Sequence, residues 1–178
     1  MITIQLVDDE PHVLTALQRL LRPQGWELQP FDDPEAALAA LAQQQYAAIL
    51  CDLNMPRLDG LTYLQFARQR QPEAARLLLS AHGDRATLMK AINRAEVFRF
   101  LSKPWDDYDV ESALQAAVDL YRLRTENRRL LEQLRGQQHT LDRQRQELLR
   151  LEAQHPGLTR VRRDPDGAVL LEGDELDD

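Results

Sequence analysis

Apolar residues come in short blocks along the first two thirds of the chain, and their spacing alternates between two kinds. Residues 2–7 form a brief apolar run that stops at Asp8, which predicts a strand. Val13, Leu14, Leu17, Leu20 and Leu21 then recur at helical spacing. Residues 26–31 predict a second strand, and residues 36–41 a helix with Asp33 placed to cap it and Pro34 suited to its first turn. Residues 47–51 read as a strand buried on both faces. Leu58, Leu61, Leu64 and Phe66 mark a third helix. A fourth strand is predicted over residues 76–79, a fourth helix over 84–93 and a fifth strand over 97–101. A fifth helix follows Pro104, with Asp106 as its cap. Five strands alternating with helices predict an α/β fold: a five-stranded parallel sheet, doubly wound and covered on both faces.

The fifth helix does not end where a compact domain would end it. From residue 112 to 153 there is no proline, and the single glycine is Gly136. Leu120, Asn127, Leu134, Leu141 and Leu148 share one heptad position; Leu123, Leu130 and Leu151 share the position three residues later. This is a coiled-coil seam of period 3.5, weakened in the middle by Gln137 and Gln144. A long, solvated, charge-laced helix is the alternative. Asn127 at a core position favours a parallel homodimer in register, because its amide pairs best with its twin. Beyond it, two strand-like runs flank Asp164-Pro165-Asp166-Gly167, so a small β-hairpin is expected over residues 156–172. The acidic residues 173–178 read as a disordered tail. The domain reading is therefore a folded unit over residues 1–123, a continuing helix over 112–153, the hairpin and the tail.

Composition narrows the class. Hydrophobic residues are 43% and charged residues 29%, ordinary for a globular protein in water. The formal net charge of −7 argues against general nucleic-acid binding. Arg122, Arg124, Arg128 and Arg129 form a local basic cluster, but Asp119, Glu126 and Glu132 interleave with it, which reads as a solvated helix face. Cys51, the one cysteine, lies inside an apolar run and reads as core. No basic-headed signal peptide opens the chain and no apolar run reaches the roughly 20 residues of a membrane span, so a cytoplasmic location is expected.

Candidate chemistry collects where strands end. Asp8 and Asp9 follow the first strand, Asp52 the third, Ser80 closes the fourth and Lys103-Pro104 follows the fifth. Ligands of open α/β sheets bind outside the carboxyl ends of the strands. Clustered carboxylates repel one another and suit a hard divalent cation such as Mg²⁺ or Mn²⁺. An aspartate can attack phosphorus to form an acyl phosphate, and a lysine ammonium and a serine hydroxyl can meet the charge on the transferring oxygens.

These residues stand in a familiar pattern. Val7-Asp8-Asp9-Glu10, Cys51-Asp52-Leu53-Asn54-Met55-Pro56, Asp59-Gly60, Ser80-Ala81 and Phe100-Leu101-Ser102-Lys103-Pro104-Trp105 resemble the receiver domains of two-component response regulators, in order and at the family's spacings over residues 1–123. The resemblance implies a flavodoxin-like receiver fold and a phosphorylation-dependent switch in a phosphorelay. Asp52 would be the phosphoacceptor, served by a histidine kinase or phosphotransfer protein. Asp9, Asp52 and the Asn54 carbonyl would hold Mg²⁺ directly, with Asp8 acting through water. Lys103 and Ser80 would contact the phosphoryl group, Ser80 and Phe100 would form the switch, and Lys103-Pro104 would be a cis peptide.

The segment 97–105 is also similar to receivers attached to HD-GYP phosphodiesterases, but no His-Asp metal pair follows, and an HD-GYP domain is not expected. Nor is a helix-turn-helix. The expected role is a response regulator that is not an enzyme beyond its own phosphorylation and dephosphorylation, signalling to a downstream protein. An aspartate-nucleophile phosphohydrolase is disfavoured by Asn54, which stands where such enzymes carry a second aspartate. A structural coiled coil with a retired receiver is disfavoured by the complete acidic, hydroxyl and lysine set.

Overall fold

A computed structural model describes residues 1–81 and 95–157. The chain divides into two compact units, Met1–Arg128 and Arg129–Asp178. The expected fourth helix (84–93) and nearly all of the expected hairpin and tail lie outside the described residues.

In the first unit the strands β1 (Thr3–Val7), β2 (Glu27–Phe31), β3 (Ala48–Asp52), β4 (Ala75–Ala81) and β5 (Arg99–Lys103) form one sheet. Their order is β2-β1-β3-β4-β5, and every pairing is parallel. The flanking helices are α1 (Pro11–Leu21), α2 (Pro34–Ala40), α3 (Gly60–Arg70) and the C-terminal helix, Asp107–Gln154. This is the doubly wound parallel fold that the alternating pattern predicts, in the flavodoxin-like receiver form that the resemblance implies.

Alternation along the strands builds two cores. Ile4, Leu6, Leu50, Leu77 and Leu79 pack with Val13, Leu14 and Leu17 of α1 and with Val110, Leu114 and Val118 of the C-terminal helix. Their neighbours Val7, Ile49, Cys51 and Leu78 pack on the other side with Ala37 of α2 and with Tyr63, Leu64 and Ala67 of α3. Strand side chains alternate faces, so a strand buried on both sides must be apolar throughout. Each large aliphatic side chain so buried contributes about 1.5–3 kcal/mol. β2 lies at an edge and carries Pro30 opposite Leu6. Pro is confined to such edges because it cannot donate to the ladder.

Helix starts follow their caps. The Asp33 carboxylate accepts from the amides of Glu35 and Ala36 and opens α2 on Pro34. Asp59 accepts from Thr62 and opens α3. Asp106 accepts from the amides of Tyr108 and Asp109 at the start of the C-terminal helix.

Several boundaries differ from the pattern. The fifth strand spans Arg99–Lys103, not 97–101; the fourth spans Ala75–Ala81, longer than 76–79. Lys103 and Ser80 are therefore strand residues. Leu58 precedes α3, and Phe66 stays 42% exposed, two residues beyond buried Leu64 and so off the inward stripe.

The C-terminal helix is continuous through Gly136, where a β-carbon would meet no neighbour. Within the first unit Leu120 packs against the core, Leu123 is exposed, and the Asp119 carboxylate accepts from Gln115 and Arg122 of its own chain. Arg128 pairs with Glu73 at 2.8 Å. In the second unit Leu130, Leu134, Leu141 and Leu148 are exposed, and Leu151 is half-buried.

Candidate functional site

Between β1 and β3 the winding of the sheet reverses, because β2 lies on one side of β1 while β3 and β4 continue on the other. Such a switch point leaves a crevice at the carboxyl ends of the strands. Asp8 follows β1 and Asp52 ends β3, so both flank that crevice. Each is nearly sealed from solvent, at 1% and 4% exposure. Asp9 is half-buried beside them. One carboxylate oxygen from each of Asp8, Asp9 and Asp52 falls within 4.8 Å of the others.

Lys103 comes from β5, two strands away from β3. Its Nζ donates to Asp8 Oδ2 at 2.7 Å, lies 2.8 Å from Asp52 Oδ1 and is 3.6 Å from Glu10 Oε1. The other oxygens are held by backbone: the Asn54 amide donates to Asp52 Oδ2 at 3.0 Å, and the Glu10 amide to Asp8 Oδ1 at 2.9 Å. The Lys103–Pro104 peptide is cis.

The charges feel this crowding. Burial raises the Asp8 carboxyl above its ordinary value, and the Lys103 and Glu10 hydrogen bonds only partly oppose that rise. For Lys103 burial acts to lower the ammonium, but the hydrogen bonds to Asp52 and Asp8 outweigh it, and the net shift is upward. The thiol of Cys51 is pushed well up, by burial first and by Asp52 second. One ammonium therefore faces three clustered carboxylates. That negative excess and the all-oxygen donor set fit a hard divalent cation such as Mg²⁺.

The remaining expected residues surround this centre. Ser80 is half-buried at the end of β4, its hydroxyl donating to the Ala81 carbonyl at 3.0 Å. Phe100 on β5 is half-buried against the core that contains Val7 and Leu78, and it lines a surface groove with Pro104 and Trp105. Asn54 is exposed in the loop after β3. Leu53 donates to Leu79 O at 2.8 Å and Gly60 to Leu53 O at 2.9 Å, which ties both ends of that loop down.

Three features carry no signal in the apolar pattern of the sequence. Gln5 is fully buried on β1, donating to Ala37 O at 2.9 Å and accepting from the Tyr63 hydroxyl. Arg76 is fully buried on β4, where its guanidinium donates to the carbonyls of Ala95 (2.8 Å) and Ala74 (2.7 Å) and pairs with Glu96. Arg57 adopts a left-handed backbone, φ 69°, with Nη2 3.0 Å from Asp33 Oδ1.

The chain is similar to known proteins over about 70% of its length. The family model described as the response regulator receiver domain matches residues 4–115. The hydrogenase transcriptional regulatory protein HoxA of Bradyrhizobium diazoefficiens is 32% identical over 124 residues, covering 70% of this chain and 25% of that protein. The chain thus spans about a quarter of the length of the curated relatives first matched. The crystal structure of the signal receiver domain of an HD domain-containing protein from Pseudomonas fluorescens Pf-5 superposes with TM-score 0.67 at 35% identity, covering 70% of this chain and 92% of that one. That of adenylate cyclase from Rhodopirellula baltica gives 0.69 at 34% identity, covering 73% and 96%.

Proposed function

The chain belongs to the response regulator receiver family, and from that premise we propose that it accepts a phosphoryl group on Asp52 from a histidine kinase or phosphotransfer protein and signals through protein–protein contacts. The observation that carries this reading is Lys103 Nζ, seated between Asp8 and Asp52 beside Asp9. A carboxylate cluster alone would repel an anionic donor; an ammonium fixed in its midst lowers that repulsion where the transferring oxygens must come.

In the proposed reaction an Asp52 carboxylate oxygen attacks the phosphorus of a phosphohistidine. An acyl O–P bond forms as the P–N bond breaks, and the imidazole leaves with the bond's electron pair and takes up a proton. Asp9, Asp52 and the Asn54 carbonyl would hold Mg²⁺, or Mn²⁺, directly, with Asp8 acting through water. The ion supplies charge neutralisation at the phosphoryl oxygens. Lys103 follows the new charge on Asp52. The Ser80 hydroxyl leaves the Ala81 carbonyl for a phosphoryl oxygen, and Phe100 turns into the space vacated, which repacks the β5 surface. The chain's own chemistry is confined to gaining and losing that phosphoryl group.

The leucine series of the C-terminal helix supports a parallel homodimer as the form in which the signal is delivered. Its seam is Leu120, Leu123, Asn127, Leu130, Leu134, Leu141, Leu148 and Leu151. Exposed leucines recurring on one helix want a partner surface. Leu120, already packed on the receiver core, would contribute least. Among the described residues no helix is long and apolar enough to cross a membrane. The proposed cytoplasmic location follows from the kinase or phosphotransfer protein taken as phosphodonor. The downstream partner is a protein, and nucleic acid is not expected to be one.

Incubation with a small phosphodonor and Mg²⁺, followed by mass spectrometry, should find one added phosphoryl group on the wild type and none on Asp52→Asn. Undiminished labelling of Asp52→Asn would overturn the assignment. Asp9→Ala should weaken Mg²⁺ binding more than Asp8→Ala.

A further inference from the structure

The loop between β3 and α3 presents the Asn54 amide to Asp52, and its course is unusually constrained. It is pinned inside by the Leu53–Leu79 and Gly60–Leu53 hydrogen bonds. At its outer turn the Leu58 amide donates to Pro56 O at 2.8 Å, and Arg57 adopts φ 69°. A non-glycine residue rarely takes that conformation unless the surroundings hold it. Gly60, three residues on, would have borne a positive φ at little cost, yet the turn falls on Arg57.

What holds Arg57 there lies across the rim on α2. Its Nη2 sits 3.0 Å from Asp33 Oδ1 and its Nη1 3.8 Å from Glu35 Oε1. Asp33 is itself fixed, because the same carboxylate caps α2. The guanidinium thus bridges the loop to a helix end that cannot easily move.

We propose that Arg57 is a positioning residue: by clasping the Asp33 cap it holds the β3–α3 loop in the course that sets the Asn54 backbone beside the three carboxylates. This rests on the reading of those carboxylates as a Mg²⁺ site. It makes a prediction opposite in sign to simple electrostatics. Removing a positive charge near a cation site should tighten cation binding. Removing a residue that positions a ligand should loosen it.

Mg²⁺ titration calorimetry on the full chain separates the two. Arg57→Ala and Arg57→Gly should each weaken Mg²⁺ binding roughly two- to fivefold, the range of an exposed ion pair. Arg57→Lys, which keeps a cation within reach of Asp33, should restore it. Amide hydrogen exchange at residues 54–58 should quicken in the Ala and Gly variants. Glycine removes the backbone cost at residue 57, so Arg57→Gly should unfold no earlier than wild type without metal, which separates lost positioning from lost stability. Unchanged or tighter Mg²⁺ binding by Arg57→Ala, with wild type binding normally, overturns this inference alone. A wild-type chain that binds no Mg²⁺ overturns the metal reading and this inference with it.

Discussion

Gly60 lies so close behind Asp52 that a β-carbon at residue 60 would stand 1.9 Å from the Asp52 carbonyl oxygen. The start of α3 is pressed directly against the backbone of the candidate phosphoacceptor. Gly60→Ala must therefore displace one of the two, and backbone cannot yield as a flexible side chain can. The expected cost is about 1–3 kcal/mol, at the upper end of that range. Urea unfolding should show it as a lowered midpoint, and labelling of Asp52 by a phosphodonor should slow as well.

Asp8 and Lys103 both make stability fall as pH rises, in two separate pH ranges. The Asp8 pKa is raised in the folded chain, chiefly by burial. Its contribution to stability is then present below the ordinary carboxylate value of 3.8 and is lost as pH rises through the folded value. Asp8→Asn should accordingly raise the melting temperature at neutral pH without metal while weakening Mg²⁺ binding. Lys103 is also raised, so its contribution is intact below 10.5 and is lost as pH rises through its folded value. Alkaline melting curves should show that loss in wild type and not in Lys103→Met.

Ser80→Ala should still be phosphorylated, because Asp52 and Lys103 are untouched. The hydroxyl proposed to follow the phosphoryl oxygen is gone, so the phosphodonor should change hydrogen exchange over residues 99–105 far less than in wild type. A response equal to wild type removes Ser80 from the switch.

Leu130 and Leu134 are 43% and 61% exposed. Replacing both by lysine should cost the isolated chain little, within about 0.5 kcal/mol per site. In a dimer joined along the proposed seam it should be disruptive. Light scattering at micromolar concentration should find a dimer for wild type and a monomer for the double variant.

The site was legible in the sequence because strand ends are chemically abrupt. Asp8 and Asp52 each interrupt an apolar run, and parallel topology brings such interruptions to one edge. The pattern puts Lys103 just past its strand because Val97 and Phe98 look more strand-like than Ser102 and Lys103, yet the ladder takes the polar pair. Gln5 and Arg76 were hidden for a different reason. Polarity normally argues exposure, and the carbonyls that satisfy them lie on other elements, from Ala37 to Ala95. Arg57 was hidden by its neighbour: Asp59-Gly60 advertises the turn, but Gly60 serves close approach and the left-handed residue is three positions earlier.

Pro30 gives the β2 edge a bearing on colloidal behaviour. A strand edge is a template for another chain, and one built of unbroken donors and acceptors invites sheet-to-sheet fusion. At Pro30 the template lacks a donor, so a strand from a neighbouring molecule cannot extend the ladder past it without a gap. At this edge, self-association that leaves the receivers separate is thereby favoured over association that merges their sheets through β2.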